Sequence, residues 1–112
     1  MRVLLVDDDA AGLEVRRLIL ERRGFEIDTA SSAGEARETF LKRAPDVVLL
    51  DLRIPEVENG LALIREFRSA RVVVLCGNIA DLDHRPEAAM ASAILRKPVR
   101  SEEMISTIRG ES

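Results

Sequence analysis

At 112 residues, 46% apolar and 33% charged, the chain has the size of one domain and enough apolar material for a core. A net charge of −3 gives no basic footprint for nucleic acid or an anionic membrane, and no apolar run nears the roughly 18 residues of a membrane helix. The lone Cys76 excludes an intramolecular disulfide and a thiolate metal cluster.

Short apolar runs alternate with helical patterns along the chain. Arg2–Val6 reads as a strand, and from Met1 there is no n-region, h-region or cleavage site, so the expected location is the cytoplasm. Ala11, Val15, Leu18 and Ile19 fall at i, i+4, i+7 and i+8, which predicts a helix buried on that face and ended by Gly24. Residues 25–29 read as a second, more polar strand. Ser32 and Glu35 form a capping box for a helix with Ala33, Ala36 and Phe40 inward, and Pro45 stops it. Residues 47–50 are a third strand; Gly60, Leu63, Ile64 and Phe67 mark a third helix; residues 72–75 are a fourth strand. Pro86 starts a short helix through Met90, and residues 93–95 form a fifth strand. Ser101 is expected to cap the last helix, with Met104, Ile105 and Ile108 facing inward.

Alternating strands and helices predict an α/β fold: a doubly wound, five-stranded parallel sheet covered on both faces, spanning 1–112 as one domain. The apolar first, third and fourth strands belong in the centre and the polar second at an edge. This is the flavodoxin-like (βα)5 order 2-1-3-4-5, in which strands one and three form the ligand-binding switch point.

Charge collects at that point. Strand one runs into Asp7-Asp8-Asp9, strand three into Asp51, and strand five into Arg96-Lys97-Pro98. Crowded acids repel unless a cation sits among them. Mg2+ suits a few carboxylates plus a phosphate. Asp8 and Asp51 are expected to bind it directly, Asp7 through a water, and the backbone carbonyl of Arg53 to complete the set. Asp51 is the candidate nucleophile, able to take a phosphoryl group as an acyl phosphate. Lys97, one of only two lysines among 17 basic residues, is expected to hold a phosphoryl oxygen or to pair with Asp51. Its bond to Pro98 can be cis. Taken singly, each residue has a plainer reading: a helix cap for Asp8, a cap or solvated role for Asp9, a turn for Asp51, a surface lysine for Lys97. His84 reads as surface.

Val6-Asp7-Asp8-Asp9, Leu50-Asp51 with Pro55 and Gly60, and Lys97-Pro98 together resemble the receiver domain of two-component response regulators, the CheY-like family. The likeness covers essentially the whole chain. It implies Mg2+ at Asp7 and Asp8, phosphate transfer to Asp51 from a histidine kinase or phosphotransfer protein, and a cis bond after Lys97, whose side chain contacts the phosphoryl group. It implies a phosphoacceptor signalling domain rather than an enzyme, one that assists its own phosphorylation and dephosphorylation. A downstream protein is expected on the face of the fourth helix, fifth strand and last helix, near Arg85, Arg96 and Arg100. Homodimerisation, and membership of a longer regulator, are left open. No direct nucleic-acid or membrane contact is expected.

The chain departs from the family's pattern at two switch positions. Cys76 stands where Thr or Ser is usual, and Ile94 where Tyr or Phe is usual. A thiol is a weak donor, so switch coupling is expected to be altered. The loop Glu56-Val57-Glu58-Asn59 is also longer by one residue, and Arg53 is placed to reach over the phosphoryl site and tune hydrolysis.

Two other classes compete. One is a receiver-like protein-binding module indifferent to phosphate. The other is a haloacid dehalogenase-type phosphatase, whose start Asp7-x-Asp9 resembles; the chain is short for it and offers Ala10 and Ala11 where that family has a hydroxyl. A flavin module is disfavoured by the acidic first loop.

Overall fold

In the computed structural model, which describes residues 1–111, five strands form one parallel sheet. They are β1 (Arg2–Val6), β2 (Glu26–Ala30), β3 (Val47–Asp51), β4 (Arg71–Cys76) and β5 (Ala93–Arg96). Their order is β2-β1-β3-β4-β5, as the polarity of the runs predicts. The helices are α1 (Ala10–Arg22), α2 (Ala33–Arg43), α3 (Val57–Glu66), α4 (Glu87–Met90) and α5 (Ser101–Arg109). A 3-10 turn over Ile79–Leu82, which no sequence pattern marks, is capped by the Asn78 side chain accepting from the Ala80 N–H.

Side chains alternate across the sheet, so each strand feeds two cores. Leu4, Val6, Val48, Leu50, Val72, Val74 and Cys76 pack with α2 and with Leu61, Leu63, Ile64 and Phe67 of the α3 segment. Val3, Leu5, Val47, Leu49, Val73 and Leu75 pack with α1 and with Met104, Ile105 and Ile108 of α5. Central strands buried on both faces explain the continuous apolar runs.

The helices correct the sequence reading in detail. On α1 the buried residues are Leu13 and Leu20, while Val15 and Leu18 are exposed at 56% and 44%. The inward stripe therefore runs through Leu13, Arg16 and Leu20, spaced i, i+3 and i+7. The apolar reading missed it because its middle member is an arginine. Two buried leucines supply up to roughly 1.5–3 kcal/mol each, so α1 is held with less apolar material than α3, which buries Leu61, Leu63 and Ile64. Gly24 ends α1 as expected, at φ 90°. Phe25 lies before β2 rather than in it: its N–H bonds Leu20 O at 3.2 Å, and its ring fills the α1 core.

Ser32 caps α2 as predicted, accepting from Glu35 N–H, but the Glu35 carboxylate returns to Ser31 N–H rather than to Ser32. Ser101 does not cap α5; it is the first helical residue, Arg100 holds the cap position, and no side chain makes the capping bond. Asp9 holds the cap position of α1, also without a side-chain bond. At α3 a reciprocal pair that sequence does not advertise, Glu56 and Asn59, closes the first turn. The short α4 follows Pro86 as expected and is tethered to α3 by charge: Arg65 pairs with buried Glu87, and Arg85 grips Glu58 at 2.8 and 2.9 Å.

Candidate phosphoacceptor site

The carboxyl ends of β1, β3 and β5 meet at one edge of the sheet. Asp7 follows β1, and its N–H bonds Ala30 O at 3.1 Å, which extends the ladder past the strand. Asp51 ends β3. The next residue, Leu52, donates to Leu75 O at 3.0 Å, so the sheet pairing with β4 runs through Asp51 and past it. Lys97 follows β5 and donates its N–H to Cys76 O at 2.9 Å. The Lys97–Pro98 bond is cis, as the resemblance implied, and so is Ile54–Pro55.

Gly60 lets α3 sit directly on this edge. A Cβ there would lie 1.8 Å from Leu52 O, so the helix meets the backbone beside Asp51 with no side chain between them.

The charges then sort themselves into pairs. Lys97 Nζ lies 2.8 Å from Asp51 Oδ2, and the Asp51 side chain is 12% exposed. Asp7, only 1% exposed, accepts the Asp9 N–H on Oδ1 at 2.9 Å and Arg16 Nη2 on Oδ2 at 2.7 Å. Asp8 is exposed. Oxygens of Asp7, Asp8 and Asp51 all lie within 4.8 Å of one another.

These surroundings drive the two buried acids apart. Burial pushes the Asp51 carboxyl up, and the charge of Asp7 adds to it, so Asp51 titrates above the usual carboxylate range despite Lys97. Burial pushes Asp7 up too, but the Asp9 N–H and the Arg16 guanidinium outweigh it and hold Asp7 below that range.

The expected residues are thus brought together, with three qualifications. Arg53 commits its side chain to Asp81, in a two-point ion pair at 3.0 and 3.1 Å. Cys76 is buried in the α3-side core, and its Sγ donates to Asn78 O at 3.0 Å. Burial raises its thiol pKa. Ile94 lies half-buried against the same core. His84 is exposed, as read. The residue that sequence reasoning missed is Arg16. The signal was an arginine on the inward stripe of a helix that starts beside the acids.

A model of the response regulator receiver domain matches residues 3–109. The chain belongs to that family. The receiver is 36% identical over 109 residues to AlgB of Pseudomonas aeruginosa, an alginate biosynthesis regulator, covering 92% of this chain and 24% of that protein. It is 31% identical to the transcriptional regulatory protein TrcR of Mycobacterium tuberculosis, covering 98% of this chain and 44% of TrcR. The chain therefore spans about a quarter to a half of the curated relatives it matches. Among solved structures, a receiver domain from Clostridium thermocellum superposes with a TM-score of 0.87 at 28% identity, covering 97% of this chain and 91% of that one. TrrA of Thermotoga maritima, solved with Mg2+ and BeF, superposes with a TM-score of 0.85 at 26% identity, covering 97% of this chain and 96% of that one.

The receiver's own residues fit Mg2+. Three carboxylates with oxygens inside one 4.8 Å cluster form a hard, all-oxygen donor set, the kind that ion prefers. No helix among the described residues is long and apolar enough to cross a membrane.

Proposed function

We propose that this receiver takes a phosphoryl group on Asp51 from the phosphohistidine of a histidine kinase or phosphotransfer protein, in the cytoplasm, with Mg2+ held by Asp8, Asp51, the carbonyl of Arg53 and, through water, Asp7. The observation that carries this reading is the 2.8 Å contact of Lys97 Nζ with Asp51 Oδ2 beside the two further acids. An Asp51 carboxylate oxygen attacks phosphorus; the new O–P bond forms as the N–P bond breaks, and the departing imidazole picks up a proton. Lys97 lies at hydrogen-bond distance from the attacking carboxylate and would move its charge from that carboxylate to the phosphoryl oxygens. When bound, Mg2+ supplies neutralisation of the developing phosphoryl charge. A downstream protein docks on the face of α4, β5 and α5, where Arg96 and Arg100 are exposed; Arg85 is committed to Glu58 and contributes less.

The test is incubation with a small acyl phosphate and Mg2+, read by intact mass over time. Wild type gains one phosphoryl mass and Asp51→Asn does not. Equal labelling of both, or none of wild type, would refute the assignment.

A second reading, a binding module indifferent to phosphate, draws on Cys76. Its only proton is directed at Asn78 O, where a hydroxyl would be needed for the phosphoryl group. Partner binding unaffected by phosphorylation in wild type, and made dependent on it by Cys76→Thr with Ile94→Tyr, would favour this reading; strong dependence already present in wild type would exclude it.

A further inference from the structure

We propose that Arg16 is a built-in counter-cation of the acidic pocket, which Mg2+ must displace from Asp7 in order to load; this rests on the metal reading above. A carboxylate buried to 1% exposure is costly without a partner. Here the partner is supplied by the chain itself, from one side of the pocket, while Lys97 supplies another for Asp51. The Arg16 contact at 2.7 Å is a full charge-assisted hydrogen bond, and a guanidinium cannot shed its charge to make way for a second cation. A divalent ion on Asp8 and Asp51, with its water on Asp7, would compete for the oxygen that Arg16 holds and meet Arg16 as a like charge beside a buried carboxylate, so the two occupy the pocket alternately.

The guanidinium has somewhere to go. Its side chain is 20% exposed and lies on the wall of a cavity of about 710 Å³, shared with Asp9, Val15, Ile19, Gly77 and Lys97. Gly12 lets the Arg16 and Asp9 side chains both come over its Cα: a Cβ there would stand 3.3 Å from Arg16 Nη2 and 2.8 Å from Asp9 Oδ2. Asp9 is exposed and offers the released arginine a second carboxylate. Metal loading and release of the α1 side chain then become a single event, and the apparent Mg2+ affinity of the resting receiver is lowered by the strength of the Arg16–Asp7 bond.

The test compares Mg2+ affinity by calorimetry in wild type, Arg16→Gln and Arg17→Gln. Arg17 is the control for net charge, since it pairs with Glu14 and Glu21 on the outer side of α1. Breaking one charge-assisted bond corresponds to Arg16→Gln binding Mg2+ about tenfold tighter, with Arg17→Gln within about twofold of wild type. Arg16→Met takes the place of Arg16→Gln should the latter fail to fold. Wild type alone supplies an independent readout: the guanidinium NMR signal of Arg16 moves to the position of a solvated arginine as Mg2+ saturates. Equal or weaker binding by the Arg16 variant, equal tightening by Arg17→Gln, or an unmoved Arg16 signal would overturn the proposal. Finite, equal Mg2+ affinities would remove only this inference; no Mg2+ binding by any of the proteins would remove the metal reading with it.

Discussion

Replacing Gly60 with alanine sets two effects of opposite sign against each other. Gly60 sits inside α3, and by helix propensity alone alanine would stabilise by about 1 kcal/mol. The added Cβ, however, would stand 1.8 Å from Leu52 O, 2.6 Å from its carbonyl carbon and 2.9 Å from its Cα. All three are backbone atoms, so no rotamer change relieves the clash. Ordinary contact requires helix and loop to separate by more than an ångström, yet Leu61, Leu63 and Ile64 are fully buried and Leu52 is 1% exposed. Overpacking of this kind costs about 1–3 kcal/mol or more, against a total stability of about 5–15 kcal/mol for a domain. Net destabilisation of about 1–2 kcal/mol is expected, because the clash is with backbone and lies at the costly end of that range, and this moves a urea midpoint down by roughly 0.5–1 M. Asp51 should shift with Leu52, so labelling by a phosphodonor should slow as well. Gly34 in α2, with nothing within 4 Å of a Cβ, is the matched control and should gain roughly 0.5–1 kcal/mol as alanine. A Gly60→Ala protein as stable as the Gly34→Ala protein would refute the steric reasoning.

The two buried acids should respond oppositely to amidation in the absence of Mg2+. Asp7, held below the usual range, contributes stability above its unfolded pKa that is lost as pH falls through its folded pKa; Asp7→Asn should therefore lose about 1–3 kcal/mol at neutral pH. Asp51, held above the usual range, binds its proton more tightly when folded, so its contribution is lost as pH rises through that raised pKa, and Asp51→Asn should be more stable than wild type at neutral pH. Both differences should close in acid, where wild type is protonated at each site; urea midpoints across the carboxylate range check this, and a reversed order of the two variants would contradict it. Cys76 is buried with its thiol pKa raised, so a disulfide reagent should label the native protein far more slowly than the urea-unfolded one. Rapid labelling of the native state would show that the end of β4 is open.

The sheet was legible because burial on both faces leaves a mark that needs no partner to interpret: Val47-Val48-Leu49-Leu50 must be interior wherever it lies. The meeting of Asp7, Asp8 and Asp51 was legible because the strand order makes neighbours of the two strands they follow. Arg16 was hidden for the opposite reason. Its destination is a carboxylate nine residues earlier, and a helical wheel scored by apolarity assigns such a residue to solvent. The same rule drew Val15 and Leu18 inward, where the structure leaves them exposed. Caps were legible only when made by the usual residues; Ser32 declared itself, whereas Glu56 with Asn59 did not. The reach of Arg53 depended on the Ile79–Leu82 turn that brings Asp81 opposite it, and nothing in the residues around Arg53 announces that turn.

That pairing of Arg53 with Asp81 makes the mouth of the site lopsided. It stitches the segment after β3 to the turn after β4, closing one flank with two parallel hydrogen bonds. The opposite flank is the open cavity between α1 and the start of α5, whose wall carries Arg16 and Lys97. One flank is therefore tied by charge, and loss of the Arg53–Asp81 pair would loosen the loops after β3 and β4 together.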